Sequence, residues 1–246
     1  MALQDEFARS GQWLFRRRSF LPLLLTPLVA FQMRDFTFPG GSHVQDTVWD
    51  LFCLAIALAG VAVRVLTVGH TPVGTSGRNT RALAARTLNT TGMYSIVRHP
   101  LYLGNCLIWM GIALFPRSGG LALTVALAFW LYYERIMFAE EIFLREKFGS
   151  AFDRWAAQTP AFLPDPRLWQ PSPLPFSLRN VLRREYSGVF AVIVSMSLLD
   201  LIGERMVLHR WRMETFWMVL LLAAALLYLT LRTLKRKTRI LDIAGR

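Results

Sequence analysis

The sequence predicts an all-α fold: a polytopic membrane helical bundle of about six spanning segments, with a cap on the cytoplasmic face. Three observations predict it. The chain of 246 residues is 54% hydrophobic, with a mean hydropathy of +0.36, more apolar than an ordinary soluble domain. Its apolar residues gather into runs separated by polar stretches. Its basic residues fall on alternate connections between those runs.

The apolar segments are 19–33, 47–68, 101–115, 119–139, 186–202 and 215–231. Arg16, Arg17 and Arg18 precede the first, but no small-x-small cleavage site follows. It therefore reads as a retained membrane segment, kinked by Pro22 and Pro27. Segments three and four are separated by Pro116-Arg117-Ser118, which predicts a tight helical hairpin. Pro160, Pro164, Pro166, Pro171, Pro173 and Pro175 predict a helix-free connector before the last two segments. Domains follow: 1–68, N-terminal spans; 69–166, a core with the chemistry; 167–185, the Pro-rich connector; 186–246, a terminal pair of spans and a basic tail.

Placing the N-terminus inside puts 21 of the 28 Lys and Arg residues on one side and five on the other (Arg34, Arg117, Arg205, Arg210, Arg212). Arg64 and Arg135 remain within segments. That bias predicts both termini in the cytoplasm, with the tail from Arg232 to Arg239 meeting anionic lipid headgroups. The net charge of +12 is explained this way, and no nucleic-acid partner is expected. Cys53 and Cys106 lie inside apolar runs and read as buried free thiols, with neither metal spacing nor a disulfide framework, and no metal ligand is assigned. The turn-rich stretch Gly69–Arg78 is not a P-loop, no dinucleotide-binding glycine motif follows a strand, and His70 reads as an exposed loop residue.

Chemistry concentrates in two places. Gly92-Met93-Tyr94-Ser95-Ile96-Val97-Arg98-His99-Pro100-Leu101-Tyr102-Leu103-Gly104 sets an arginine, a histidine and two tyrosines at the start of an apolar helix. Pro100 suits the first helical position, and the free N–H groups that follow favour an anion. The second centre is Glu140-Glu141 at the end of segment four. Glu134 and Glu141 share a helix face, with Glu140 turned about 100° away. Leu144, Phe148, Phe152 and Trp155 then recur at helical spacing, predicting an amphipathic run on the membrane surface or across the bundle. Glu185 and Asp200 read as interfacial anchors or packing polar groups, and 203–214 as a solvated outer turn.

The first block, followed by Glu140-Glu141-x-x-Leu144, Phe148-Gly149 and Phe162-Leu163-Pro164, resembles the isoprenylcysteine carboxyl methyltransferase and phospholipid methyltransferase superfamily over residues 86–164. The resemblance implies an S-adenosylmethionine-dependent enzyme in the membrane, whose acceptor is a membrane lipid or lipidated substrate and whose cytoplasmic cap binds the cofactor. It implies that Tyr94, Arg98, His99, Tyr102 and Gly104 line the cofactor pocket, with Glu140 and Glu141 closing it. Pro100 and Leu103 belong to the same block. Arg98, Glu141 and Tyr102 are the candidate catalytic residues, and an amine acceptor would make Glu141 or Tyr102 the proton acceptor. One departure is Arg86-Thr87-Leu88 where prenylcysteine-type members have His-Thr-Leu, which points to a different acceptor. The residues themselves agree: a glutamate pair suits the cofactor ammonium, and Arg98 and His99 suit its carboxylate.

Two rival readings remain open. Membrane NADPH-dependent sterol reductases share a similar core but place Asn before the tyrosine, where this chain has Leu101. A non-catalytic membrane assembly or transport factor could keep the core, against which stand the intact Arg98, His99, Glu140 and Glu141.

Overall fold

The computed structural model describes residues 2–18, 21–72 and 85–243, which contain helices and no strand. The α-helices are α1 (Leu3–Arg17), α2 (Thr26–Gln32), α3 (His43–Gly69), α4 (Met93–Ile96), α5 (Pro100–Leu114), α6 (Gly119–Phe148), α7 (Ser150–Gln158), α8 (Leu178–Leu208) and α9 (Thr215–Lys237). Of these, α3, α6, α8 and α9 are long and apolar enough to cross a membrane, and α5 is a shorter apolar helix of 15 residues. The expected loop residues 73–78, with Arg78 and Arg81, lie outside the described residues.

The expected first span does not form. Residues Leu21–Leu25 make a 3₁₀ turn, and α2 has only 7 residues, about 10 Å of rise and far short of a bilayer core. Proline is the reason: it supplies no N–H, and α2 begins with Pro27 in its first turn instead of continuing an earlier helix. Leu23, Leu24 and Phe31 face outward from this broken segment.

The N-terminal tail, in contrast, is an ordered amphipathic helix. Phe7, Gly11 and Phe15 recur every four residues and form one stripe. Asp5 and Glu6 stand in the first turn and Arg16 and Arg17 in the last, as the helix dipole favours. The stripe packs on the second half of α6. A Cβ on Gly11 would sit 2.8 Å from Ala139 Cβ, Phe7 meets Phe138 edge-on at 5.9 Å, and the Tyr132 hydroxyl donates to Leu14 O at 3.1 Å. Arg135, which the sequence placed inside a span, reaches Ser10 Oγ at 3.2 Å and lies 4.5 Å from the Phe7 ring.

The centre of the bundle is the α3–α5 contact. Gly104 and Gly111 are seven residues apart and so share a face of α5. A Cβ at Gly104 would lie 2.8 Å from Gly60 O, and one at Gly111 2.6 Å from Cys53 O. Absent side chains let the two backbones approach, the usual device where helices meet in lipid. Around it, Cys53, Leu54 and Ala57 of α3 pack with Val192, Ile193, Met196 and Leu199 of α8, with Phe115 and with Trp217 of α9. The α5–α6 hairpin forms as the sequence predicts, Ser118 capping α6 by accepting from Leu121 N at 3.2 Å. The last two helices outrun their predicted cores, and the outer turn is shorter than expected: α8 continues to Leu208, burying Gly203 and Glu204.

Candidate active site

Two chain segments build the site. Residues 92–99 lead into α5, and the end of α6 carries the glutamates. Gly92 has φ +61°, a backbone that side chains rarely adopt, and turns the chain into the single turn of α4. Val97 then extends the chain, so Arg98 and His99 arrive just before Pro100, which is buried at the helix start.

His99 is the hub. Its Nε2 lies 2.9 Å from Glu141 Oε1 and its Nδ1 3.6 Å from Glu140 Oε2. Arg98 Nη1 donates to the other oxygen of Glu141 at 3.0 Å. Adjacent glutamates on a helix diverge by about 100°, yet both reach His99, because the ring offers a nitrogen to each. Burial works against a charge on His99, but the hydrogen bonds and charges of Glu140 and Glu141 outweigh it and raise its pKa above the ordinary 6.5. The Tyr102 ring stacks on the imidazole at 5.6 Å with an interplanar angle of 18°. Tyr102 is also packed with Tyr133, the ring centroids 4.9 Å apart. Glu134, which shares a helix face with Glu141, is exposed and outside the cluster.

The remaining sequence-predicted residues divide. Leu103 packs with Met93, Ile96 and Val97. Gly104 faces α3, where a Cβ would meet Arg64 Cγ at 2.6 Å. Tyr94 stands on the wall of a cavity of about 260 Å³ lined also by Thr67, His70, Thr91, Ser172 and Leu174. Burial first, and then the charge of Glu140, raise the pKa of the Tyr94 hydroxyl, so the cavity lies within electrostatic reach of the cluster. His70, expected as an exposed loop residue, is half-buried on the same wall, its ring 5.4 Å from Phe176.

Two features escaped the sequence. First, the Pro-rich connector is a strap. Arg98 N donates to Pro160 O at 2.9 Å, His99 N to Ala161 O at 3.2 Å, Asp165 N to Ile96 O at 3.0 Å and Gly92 N to Gln170 O at 2.8 Å. The backbone of 92–99 is held by these bonds in place of a regular helix. The predicted amphipathic run is likewise cut in two at Gly149, φ +53°, which starts α7 at a new angle. Phe152 becomes fully buried there, and Trp155 Nε1 donates to Tyr94 O at 3.0 Å, so α7 caps the bundle over residues 92–99. Second, Arg64 of α3 forms a two-pronged pair with Glu185 of α8, Nε to Oε2 at 2.7 Å and Nη2 to Oε1 at 3.0 Å. Its Nη1 donates to Asn105 Oδ1 at 2.7 Å, and Asn105 in turn donates to the Tyr133 hydroxyl at 3.1 Å. An arginine inside one apolar segment and a glutamate at the edge of another were the available signal, but nothing local names the partner.

Residues 49–151 match the phospholipid methyltransferase family model, spanning α3 from Trp49 onward, α5, α6 and the whole His99 cluster. The chain is 34% identical over 125 residues to a nickel-cobalt-cadmium resistance protein of Alcaligenes xylosoxydans xylosoxydans, covering 51% of this chain and 56% of that protein. It is 35% identical over 139 residues to a cobalt-zinc-cadmium resistance protein of Cupriavidus metallidurans, covering 56% of this chain and 60% of that one. The chain thus spans little more than half the length of these curated relatives. No solved structure matches it.

Proposed function

We propose, from the premise that residues 49–151 form a phospholipid methyltransferase domain, that the protein transfers a methyl group from S-adenosylmethionine to a lipid or lipidated acceptor at the cytoplasmic membrane face. The observation that carries the reading is the cluster of Arg98, His99, Tyr102, Glu140 and Glu141, gathered at the start of α5 inside that domain.

The donor set fits the cofactor. Arg98 Nε is buried with no hydrogen-bond partner among the described residues, a donor suited to the cofactor carboxylate. Both oxygens of Glu141 are engaged, one by Arg98 and one by His99. Glu141 therefore orients those two groups, and Glu140, whose side chain is 32% exposed, is left to meet the ammonium. That division departs from the sequence expectation, in which both glutamates met the cofactor and Glu141 was also a candidate catalytic residue. When bound, the cofactor supplies an electrophilic methyl carried on a sulfonium. Displacement at that methyl requires alignment and exclusion of water more than proton transfer. Tyr102, stacked on His99, and the strap bonds from Pro160 and Ala161 hold the alignment. A carboxylate or phosphate acceptor needs no base. An amine acceptor must give up a proton, and with Glu140 on the ammonium and both oxygens of Glu141 engaged the cluster suits a carboxylate or phosphate acceptor better.

The test is calorimetry on the full chain in lipid nanodiscs, titrated with S-adenosylmethionine and separately with NADPH. Binding of the first alone, weakened about tenfold or more by H99A and by R98A, supports the reading. Mass spectrometry of the nanodisc lipids should then show one added CH₂. Binding of NADPH, or of neither ligand, refutes it.

A further inference from the structure

We propose that His43, Glu204 and Glu214 bind one divalent transition cation, at the end of the bundle opposite His99. His43 opens α3, and His70 follows its other end about 40 Å away by helix rise, so this place is remote from the first cluster. The three ligands come from three elements: the first turn of α3, the end of α8 and the residue that caps α9. One donor atom from each lies within 4.8 Å of the other two.

The spacing fits a metal. His43 Nε2 is 3.0 Å from Glu214 Oε1 and 3.6 Å from Glu204 Oε1. Zinc bonds to nitrogen and oxygen of about 2.0–2.2 Å in tetrahedral array need donors roughly 3.3–3.6 Å apart. The His43–Glu204 distance already fits; the His43–Glu214 distance opens by a few tenths of an ångström, and the two carboxylate oxygens, within 4.8 Å of each other, adjust to complete such a set.

The second observation concerns need. Glu204 is 3% exposed, and its Oε1, the atom aimed at His43, has no hydrogen-bond partner among the described residues; Glu214 Oε1 is likewise buried and, though 3.0 Å from His43 Nε2, accepts no hydrogen bond from them. A buried carboxylate without partners is costly, and a cation is the group that satisfies two at once. Apart from His43 itself, a cation only when protonated, the surroundings do not supply one among the described residues. Asp200 accepts from Glu214 N at 3.2 Å, and Arg117 is committed to Asp46 and Asp50. Arg212 bears on Glu214 but is exposed. Five carboxylates therefore face this end, and the guanidinium that reaches into them is already shared between two.

Donor chemistry narrows the ion. One imidazole with two carboxylates is too hard for copper(I) and too nitrogen-rich for calcium or magnesium, but suits zinc, cobalt, nickel or manganese. The His43 side chain is 53% exposed, so the ion can enter and leave from solvent and keep a water in its open position.

The test uses the untagged full chain in nanodiscs, stripped of metal and titrated with Co²⁺ alone. The expected result is a visible absorption band of low-coordinate cobalt that saturates at one equivalent and is abolished by competing Zn²⁺. H43A and E214Q, on the two less buried ligands, should each weaken binding at least about tenfold, and H99A should leave it unchanged. No saturable band, or a band indifferent to both H43A and E214Q, overturns the proposal and leaves His43 as an ion-pair partner of the glutamates.

Discussion

Replacing Glu141 by glutamine tests whether the His99 cluster stabilises the protein as a charged unit. Glu141 accepts at 2.9 Å from His99 and 3.0 Å from Arg98. The three side chains are 22%, 4% and 18% exposed, so solvent screens only part of the attraction. A hydrogen bond to a charged group contributes about 1.5–3 kcal/mol. Glutamine keeps one acceptor but loses the charge, and sets an NH₂ against a donor. The expected loss at acid-neutral pH is about 2–3 kcal/mol, below the sum of two full bonds because one is retained. The pH dependence follows from His99, whose folded pKa is raised above 6.5. Its stabilisation is fully present below that unfolded value and is lost as pH rises through the raised folded value. Arg98 keeps its charge throughout. The gap between wild type and E141Q should therefore be widest near the low end of the range and shrink with rising pH to the Arg98 share, about 1–1.5 kcal/mol. The assay is reversible unfolding of both proteins in one detergent across pH. A gap below about 0.5 kcal/mol at low pH, or one that widens as pH rises, refutes a charged His99–Glu141 pair.

Two further perturbations separate framework from site. G104A adds a Cβ 2.8 Å from Gly60 O and 2.6 Å from Arg64 Cγ, so helices α3 and α5 must part; the expected cost is about 1–3 kcal/mol, read as a lower unfolding midpoint. E185Q leaves the Arg64 guanidinium with Asn105 as its one other side-chain acceptor, and since both groups of the broken pair are largely buried it should cost about 3–5 kcal/mol. A double-mutant cycle with R64M should recover much of that loss, and additive losses would show that the two residues do not interact.

The site was legible in the sequence where the physics is local. Pro100 marks a helix start from its own ring, the short Pro116-Arg117-Ser118 break forces a hairpin, and the two polar centres stand out against apolar runs. Reading failed where a segment takes its structure from something distant. The 19–33 run has the hydropathy of a span, but prolines remove the N–H groups a span needs, and a seven-residue helix results. Residues 3–17 give no apolar run because only one stripe is apolar, and that stripe gains its value from α6, more than a hundred residues away. The prolines keep α-helix out of 160–175, but α8 begins at Leu178, inside the connector expected over 167–185, and the backbone groups of the strap still required partners, which residues 92–99 provide.

The same distinction explains what the C-terminal helices do for a domain whose family match ends at residue 151. Glu185 of α8 neutralises Arg64, Arg64 holds Asn105, Asn105 holds the Tyr133 hydroxyl, and the Tyr133 ring leans on Tyr102 at 4.9 Å. Tyr102 in turn stacks on His99. Without Glu185, the charge of Arg64 would stand beside Gly104 with a neutral amide for company, and burial would press it to move. Any such movement is transmitted by contact to the ring on which His99 rests. Asn180 adds a second tie by donating to Val68 O at 2.8 Å, fixing the start of α8 to the end of α3 beside the Tyr94 cavity. The added helices therefore belong to the site's support, and a chain cut after the matched domain would retain every residue of the His99 cluster while losing the carboxylate that keeps Arg64 in place.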